Sequence, residues 1–449
     1  MNAGALTVAT LQNTNQDGLP TLPGGWGSGN IAAVTSKITN GYVGPTRGLF
    51  VGSGVPYLQS LHIKANGIKF EPEYFVTEDW SRQHKKSVLA QGDVLVVQTG
   101  DIGQVALVPP LWTGANCHAL IILAPNENVI LGSYLSWVLN SSYGKDCLLS
   151  RQTGALHPHL NCSAVREIQV PIPPLTAQNA IASFLDRKTA AIDALIEKKQ
   201  KLVELLAEKR AALINQAVTK GLDPNVPMKE SGIPWIGDVP AHWDYSLLRL
   251  AAQLESGHTP SRNRPDYWVS SECSIPWFSL ADVWQLRDGR QRYLGETAEK
   301  VSPTGISNSS ARVLPAGTVV LSRTASVGFS GIMPVPMATT QDFANWICGP
   351  RLTPDYLWWA FQAMRPEFDR LMMGSTHQTI YMPDLRQIKV PLPSIEEQAR
   401  INNFLENKTS GWDSKQSALL RSIARLQEYR QALITAAVTG QLDIPEAPQ

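Results

Sequence analysis

The chain repeats itself, and that bounds what it can fold into. Sliding it by 220 positions carries Val170 onto Val390 and aligns Gly154 to Asp223 with Gly374 to Asp443 without a gap. Pro171/Pro391, Pro173/Pro393, Gln178/Gln398, Asp193/Asp413 and Arg210/Arg430 are identical pairs, and the copies close alike as ALINQAVTKGLD and ALITAAVTGQLD. Weaker echoes precede the block: GVPYLQ with SIPWFS, and VLAQGDVLVVQTGDIG with VLPAGTVVLSRTASVG. A period of half the chain predicts two units in tandem. At 449 residues the chain also exceeds what one hydrophobic core supports.

Each unit reads as a strand-rich globule followed by one long helix. Short apolar runs such as VLVVQT and TVVLSRT, bounded by Gly, Pro and Asn, have the length of strands. After VPIPPLTAQ and VPLPSIEEQ the period changes. Ile181, Leu185, Lys188, Ile192, Leu195, Lys199, Leu202, Leu206 and Leu213 fall mostly at alternating steps of three and four, a coiled-coil seam. Ile401, Leu405, Lys408, Trp412, Leu419, Ile423, Leu426 and Leu433 form its counterpart. Proline fixes the approach of the chain but cannot sit inside a helix, so each helix starts just past its proline cluster. From residue 176 to 218 the first would span roughly 64 Å at 1.5 Å per residue.

One such stripe also fits a helix packed on its own domain. Two copies favour an antiparallel two-helix coil between the globules. The expected fold is α+β, two strand-rich domains in a tandem pseudo-two-fold repeat. Expected boundaries are residues 1–174 for the first globule and 175–220 for the first helix. A linker at 221–240, a second globule at 241–394, a second helix at 395–439 and a tail at 440–449 follow.

Composition excludes some functions. No basic segment followed by an apolar run opens the chain, and no uncharged apolar stretch approaches about 18 residues, so secretion and membrane insertion are not expected. Five scattered cysteines without a CxxC pair fit a reducing compartment, hence the cytoplasm. The net charge of +1 gives no global pull toward nucleic acid.

The paired junctions, the linker SGIPWIGDVPAHW (Ser231 to Trp243), SGHTPSR (Ser256 to Arg262) and LSRTASVG (Leu321 to Gly328) together resemble specificity subunits of type I restriction-modification systems. The resemblance covers essentially the whole chain. It implies two target-recognition domains, each reading one half of a bipartite, asymmetric double-stranded DNA site. It also implies helices that set the unread spacer and dock two modification (methyltransferase) subunits, which use S-adenosylmethionine. Restriction (translocase/endonuclease) subunits working with ATP and Mg would join that core. The chain itself would hold no cofactor and perform no catalysis. One departure stands out: Thr176 and Ala177 occupy the first junction where Glu396 and Glu397 occupy the second.

Base readout needs bidentate donors and acceptors on turns that can enter a groove, with hydroxyls gripping phosphates. Candidates recur at matching places. The first unit offers Thr46 and Arg47, then Gln98 and Thr99 near Asp101, then Gln152, Thr153 and His157. The second offers Thr259, Ser261, Arg262 and Arg264, then Arg323, Thr324 and Ser326, then Ser375, Thr376, His377 and Gln378. Residues 231–385 hold twelve basic side chains against fourteen acidic ones, and only Lys300 of the twelve is lysine. Arginine suits bidentate guanine recognition better than a general polyanion grip. The basic spots SRNRP and RDGRQR are candidates for phosphate contact.

Catalytic motifs fail. FVGSG (Phe50 to Gly54) imitates an S-adenosylmethionine loop but runs into VPYLQS, where Pro56 opposes the required helix, and no (N/D/S)PPY tetrad occurs. Gly144-Lys145 lacks the rest of a phosphate-binding loop. His157, His159 and Cys162 lack a fourth metal ligand at recognisable spacing. A DNA-recognition subunit is therefore the leading expectation. A coiled-coil scaffold and a stand-alone DNA methyltransferase are the alternatives.

Overall fold

The computed structural model describes residues 19–154, 158–373 and 378–445. The chain forms two compact units: Met1–Lys199 with Arg421–Gln449, and Gln200–Leu420. Each unit therefore holds one globule, the leading part of one long helix and the trailing part of the other. The helices are Leu175–Lys220 and Ile395–Val438.

In the first unit the strands that the repeat shares are β1 (Gly27–Asn30), β2 (Thr35–Asn40), β3 (Val55–Leu58), β4 (Phe75–Val76), β5 (Val94–Val97), β6 (Val105–Leu107), β7 (Asn116–Cys117), β8 (Leu120–Pro125) and β9 (Gln169–Ile172). In the second they are β10 (Asp244–Leu247), β11 (Ala252–Ser256), β12 (Ile275–Phe278), β13 (Glu299–Val301), β14 (Val319–Ser322), β15 (Ser330–Ile332), β16 (Ala338–Thr339), β17 (Phe343–Cys348) and β18 (Lys389–Leu392). Each unit has an antiparallel four-stranded sheet, ordered β2-β8-β5-β6 and β11-β17-β14-β15. Each has a three-stranded sheet, β4-β3-β7 and β13-β12-β16, and a two-stranded pair, β1-β9 and β10-β18. β5 and β14 are the central apolar runs, buried on both faces, which is why they read as unbroken hydrophobic stretches rather than alternating ones.

The duplicated proline junction is a buried amide lock. The Gln178 side-chain nitrogen donates to Pro173 O and Val129 O, both at 2.9 Å, and its carbonyl oxygen accepts the Leu131 N–H at 2.8 Å. Gln398 donates to Pro393 O at 3.0 Å and Arg351 O at 2.8 Å, and accepts the Thr353 N–H at 2.8 Å. Both glutamines are fully buried. Proline supplies a carbonyl but no N–H, so the strand exit is left with an acceptor that the helix's own glutamine satisfies.

The far ends of the helices are held equivalently. The Tyr134 hydroxyl donates to Val438 O at 3.0 Å, and the Tyr356 hydroxyl to Val218 O at 3.1 Å. These are terminal carbonyls without a partner inside the helix. In the first unit Arg430 forks onto Asp193 at 2.8 and 3.1 Å. In the second Arg210 meets Asp413 at 3.3 Å. The repeat maps one pair on the other, and each joins the leading part of one helix to the trailing part of its antiparallel partner.

The seam differs from expectation at four residues: Lys188 and Lys408 are exposed while Thr189 and Thr409 beside them are buried, and two leucines repeat the shift. Leu195 and Leu202 are 43% and 49% exposed, whereas Ile196 is buried and Val203 half-buried. A straight helix drifts about 20° per heptad against a strict seven-residue repeat, which moves the buried stripe by one position. Among the described residues no helix is long and apolar enough to cross a membrane.

The Thr176-Ala177 departure has a local counterpart. Glu397 lies 3.2 Å from His242 Nε2, in the turn Pro240-Ala241-His242-Trp243. The matching turn, Pro23-Gly24-Gly25-Trp26, has Gly25 at φ +86°, a conformation that disfavours any side chain. Ala177 thus stands where a glutamate would have no histidine to meet.

Candidate nucleic-acid interface

At one end of each four-stranded sheet, four chain segments converge. In the first unit the loop leaving β2 starts at Gly41 and Tyr42, whose N–H groups donate to Leu120 O and Cys117 O at 2.7 and 2.8 Å. A Cβ on Gly41 would lie 2.7 Å from Cys117 Sγ, so only glycine permits this approach. Thr46 and Arg47 lie further along the same loop, with Arg47 exposed. Gln98 leaves β5 with its N–H on Ala119 O and its carbonyl accepting the Leu160 N–H at 2.9 Å. Thr99 bridges His159, which also pairs with Thr153 through both backbone bonds and a 3.2 Å contact to the Thr153 hydroxyl. Gln98, Thr99 and Thr153, with Gln152 next to it in the chain, are thus brought together around His159 and Leu160. His157 lies outside the described residues.

The second unit builds the same frame. Gly257 abuts Thr339 and Thr340 as Gly41 abuts Cys117, and His258 N–H donates to Thr339 O at 2.9 Å. Arg323 repeats Gln98, with its N–H on Asp342 O and its carbonyl accepting the Ile380 N–H, both at 2.9 Å. Thr324 bridges Thr379, and the Ala325 N–H donates to Gln378 O at 3.0 Å. Ser326 closes the tight turn after Ala325, its N–H on Thr324 O. Ser375, Thr376 and His377 lie outside the described residues.

The side chains differ from the naive expectation of free arginines. Arg323 Nε donates to Gln341 O at 3.0 Å and Nη1 to Ile380 O at 3.4 Å, so its guanidinium clamps two neighbouring loops. Gln341 Oε1 in turn accepts the Thr259 hydroxyl at 2.7 Å. Gln341 therefore joins two candidate segments, although the sequence offered no motif to flag it. Arg262 forks onto Glu299 and lies 3.8 Å from the Trp268 ring centre. Arg264 forks onto Asp266 at 3.0 and 2.9 Å, and this hydrogen bonding holds the Asp266 carboxyl below the usual carboxylate range. Ser261 uses its carbonyl to accept the Trp268 indole N–H at 3.2 Å.

Arg262 also lies 5.0 Å from the Trp277 ring centre, and in the first unit Tyr57, the counterpart of Trp277, sits in an aromatic cluster without an arginine among the described residues. Trp80 and His84 stack with centroids 4.0 Å apart, and Tyr42 packs edge-on against both. Tyr57 and His118 complete the nest. Burial pushes the Tyr57 hydroxyl up and the His118 imidazole down, favouring the neutral forms of both. The pairing of Tyr57 with Trp277 was legible in the echo GVPYLQ/SIPWFS; Trp80 and His84 carried no signal.

Two of the three arginines of RDGRQR are engaged within the chain, while Arg287 is exposed. Arg290 donates to Ser417 Oγ and Gln416 Oε1, both at 2.8 Å, and Arg292 meets Asp355 at 2.9 Å. FVGSG runs into strand β3, not into a helix.

The family profile described as "Type I restriction modification DNA specificity domain" matches residues 33–205 and 251–421. The specificity subunit of the type I restriction enzyme MjaIX from Methanocaldococcus jannaschii is 28% identical over 198 residues, 42% of this chain and 43% of that subunit. The EcoKI specificity subunit of Escherichia coli K12 is 22% identical, covering 94% of this chain and 90% of its own. Among solved structures, a chain from work on complex assembly and conformational transition of the type I restriction-modification system superposes with TM-score 0.67. It has 22% identity, over 94% of this chain and all of that one. The HsdS subunit from Thermoanaerobacter tengcongensis superposes with TM-score 0.50 at 19% identity, covering 94% and 98%. The shared fold thus extends over both units.

Proposed function

Because the chain belongs to the type I restriction-modification DNA specificity family, we propose that its two units each read one half of a bipartite, asymmetric double-stranded DNA site. The observation that carries this reading is the repeated convergence of four loops on the end of each four-stranded sheet, with one frame and two different sets of side chains. Loops on a rigid scaffold are where recognition chemistry can vary without disturbing a fold.

The helix pair sets the unread spacer and docks two modification subunits, which supply S-adenosylmethionine and transfer the methyl group. Restriction subunits bring ATP and Mg. This chain contributes recognition and no bond-making step, and acts in the cytoplasm. Paired arginines and a net charge of +1 make its own grip on phosphates weak, so most electrostatic affinity comes from the partners.

Replacing residues 1–165 by the corresponding globule of another family member tests the reading. Methylation mapping of the assembled complex should show one half of the modified sequence changed and the other kept. Alteration of both halves, or of neither, would sink it.

A further inference from the structure

The two globules are fastened to the helices by devices that are shared in part and differ in part. In the first unit the fastening comes from the helices Gly132–Asn140 and Ser142–Ser150: the Trp137 indole N–H donates to Asp186 at 2.8 Å and Lys145 Nζ to the Gln431 side-chain oxygen at 3.3 Å. Gln431 Nε2 donates to Asn140 O at 3.0 Å, and the Ser142 N–H donates to the Thr435 hydroxyl at 3.0 Å. The repeat places Ala211 and Asn215 at the positions of Gln431 and Thr435, so the amide contact at Gln431 has no counterpart.

The second unit keeps a helix contact, the Trp359 indole N–H donating to Asn402 at 3.0 Å, and adds the loop Arg287 to Arg292. Arg290 spreads its guanidinium over three residues of the second long helix: Gln416, Ser417 and, at 3.6 Å, Asp413. Arg210 from the first long helix donates to Gly289 O at 2.9 Å and pairs with the same Asp413. One loop is thereby buttoned to both helices at once. A guanidinium held by two hydrogen bonds and an ion pair fixes direction as well as distance, because its donors are coplanar and fork-shaped.

We propose that Arg290 is a positioning residue for spacer length: it fixes the angle at which the second globule is mounted on its helix halves, and so the separation of half-sites the protein accepts. This rests on the bipartite reading above. Removing Arg290 leaves Asp413 still paired with Arg210, so the charge balance of the cluster survives and the fold has no buried lone carboxylate. The mounting loses the forked restraint that joins this loop to the second long helix, while Trp359 on Asn402 stays.

The test is methylation sequencing with the specificity chain assembled with its modification partner, comparing wild type, Arg290→Ala and Arg290→Lys. Arg290→Ala should keep both half-site sequences yet methylate sites whose spacer is one base pair longer or shorter at least tenfold more often than wild type. Arg290→Lys, a point charge without the fork, should fall between. Should Arg290→Ala fail to assemble, the double variant Gln416→Ala/Ser417→Ala removes the acceptors and leaves the loop intact. It is predicted to relax the spacer in the same way.

Unchanged spacer choice in a methylating Arg290→Ala complex overturns the proposal. If methylation is lost, binding to duplexes of graded spacer decides: a flattened preference supports the proposal and an unchanged one refutes it. A wild-type complex that recognises no bipartite site would instead remove the functional reading itself.

Discussion

The two loop ends proposed to read DNA share a frame and differ in their side chains. The first presents hydroxyls and amides around an aromatic and histidine nest, with Arg47 exposed on its loop. The second presents arginines that are already occupied, Arg262 by Glu299, Arg264 by Asp266 and Arg323 by loop carbonyls. Backbone hydrogen bonds at Gln98 and Arg323, or at Tyr42 and His258, coincide where the side chains do not. A duplicated scaffold has thus been kept while its loops diverged, as expected if fold stability lives in the sheets and discrimination in the turns.

The sharpest way to break the claim of a common scaffold is at the amide locks. Gln178→Ala and Gln398→Ala each strand two buried carbonyls and a buried N–H, and each should cost on the order of 3 kcal/mol or more. Denaturant unfolding of the purified chain, read at tryptophans of each unit, would check this. Equal losses support one shared joint, and a silent variant on either side would show that the joints have diverged.

Differences between the reading ends can be sharpened through Arg262 and Arg323. Arg262→Ala in the assembled complex should lose about 1–3 kcal/mol for duplexes carrying the second half-site and nothing when only the first is intact. Arg323→Ala removes a clamp rather than a free donor. It should lower protection of residues 341 and 378–380 in hydrogen exchange even without DNA, whereas loss confined to the DNA-bound state would make it a base reader instead.

The interhelical ion pairs give a smaller contrast. Asp193 is 49% exposed and meets one arginine, while Asp413 is 21% exposed and faces two. Asp413→Asn leaves Arg210 and Arg290 facing each other and should cost about 2 kcal/mol. Asp193→Asn should cost less than about 1 kcal/mol. Chemical denaturation of both variants at low and moderate salt would test the ranking, and equal costs would erase this distinction.

How much of this was readable beforehand follows from what periodicity can encode. The duplication, the strand runs and both long helices are visible because burial imposes regular spacing on apolar residues. The side on which Leu195 and Leu202 lie was not, since a one-residue drift is invisible to a heptad count. Nor were the partners of Arg262, Arg290 and Arg323, which depend on Glu299, Gln416 and Ile380, brought close by tertiary folding from 37 to 126 positions away. Candidate turns could be placed by sequence, whereas the state of each side chain on them could not.

The smallest predicted effect separates the two helix starts. The Glu396 carboxylate is held below the usual carboxylate range first by the backbone N–H at its own position and then by the Ser394 hydroxyl, at the positive end of the helix. Thr176 stands at the matching place in the first helix. Because folding lowers this group's pKa, its stabilisation is complete above about pH 4.5, the ordinary value, and disappears as pH falls through the lowered one. Glu396→Gln should therefore reduce protection of residues 397–405 in hydrogen exchange at pH 7, leave residues 177–185 unchanged, and lose its effect in acid below the lowered pKa. A deficit that persists undiminished there would assign it to lost side-chain packing and not to charge at the helix start.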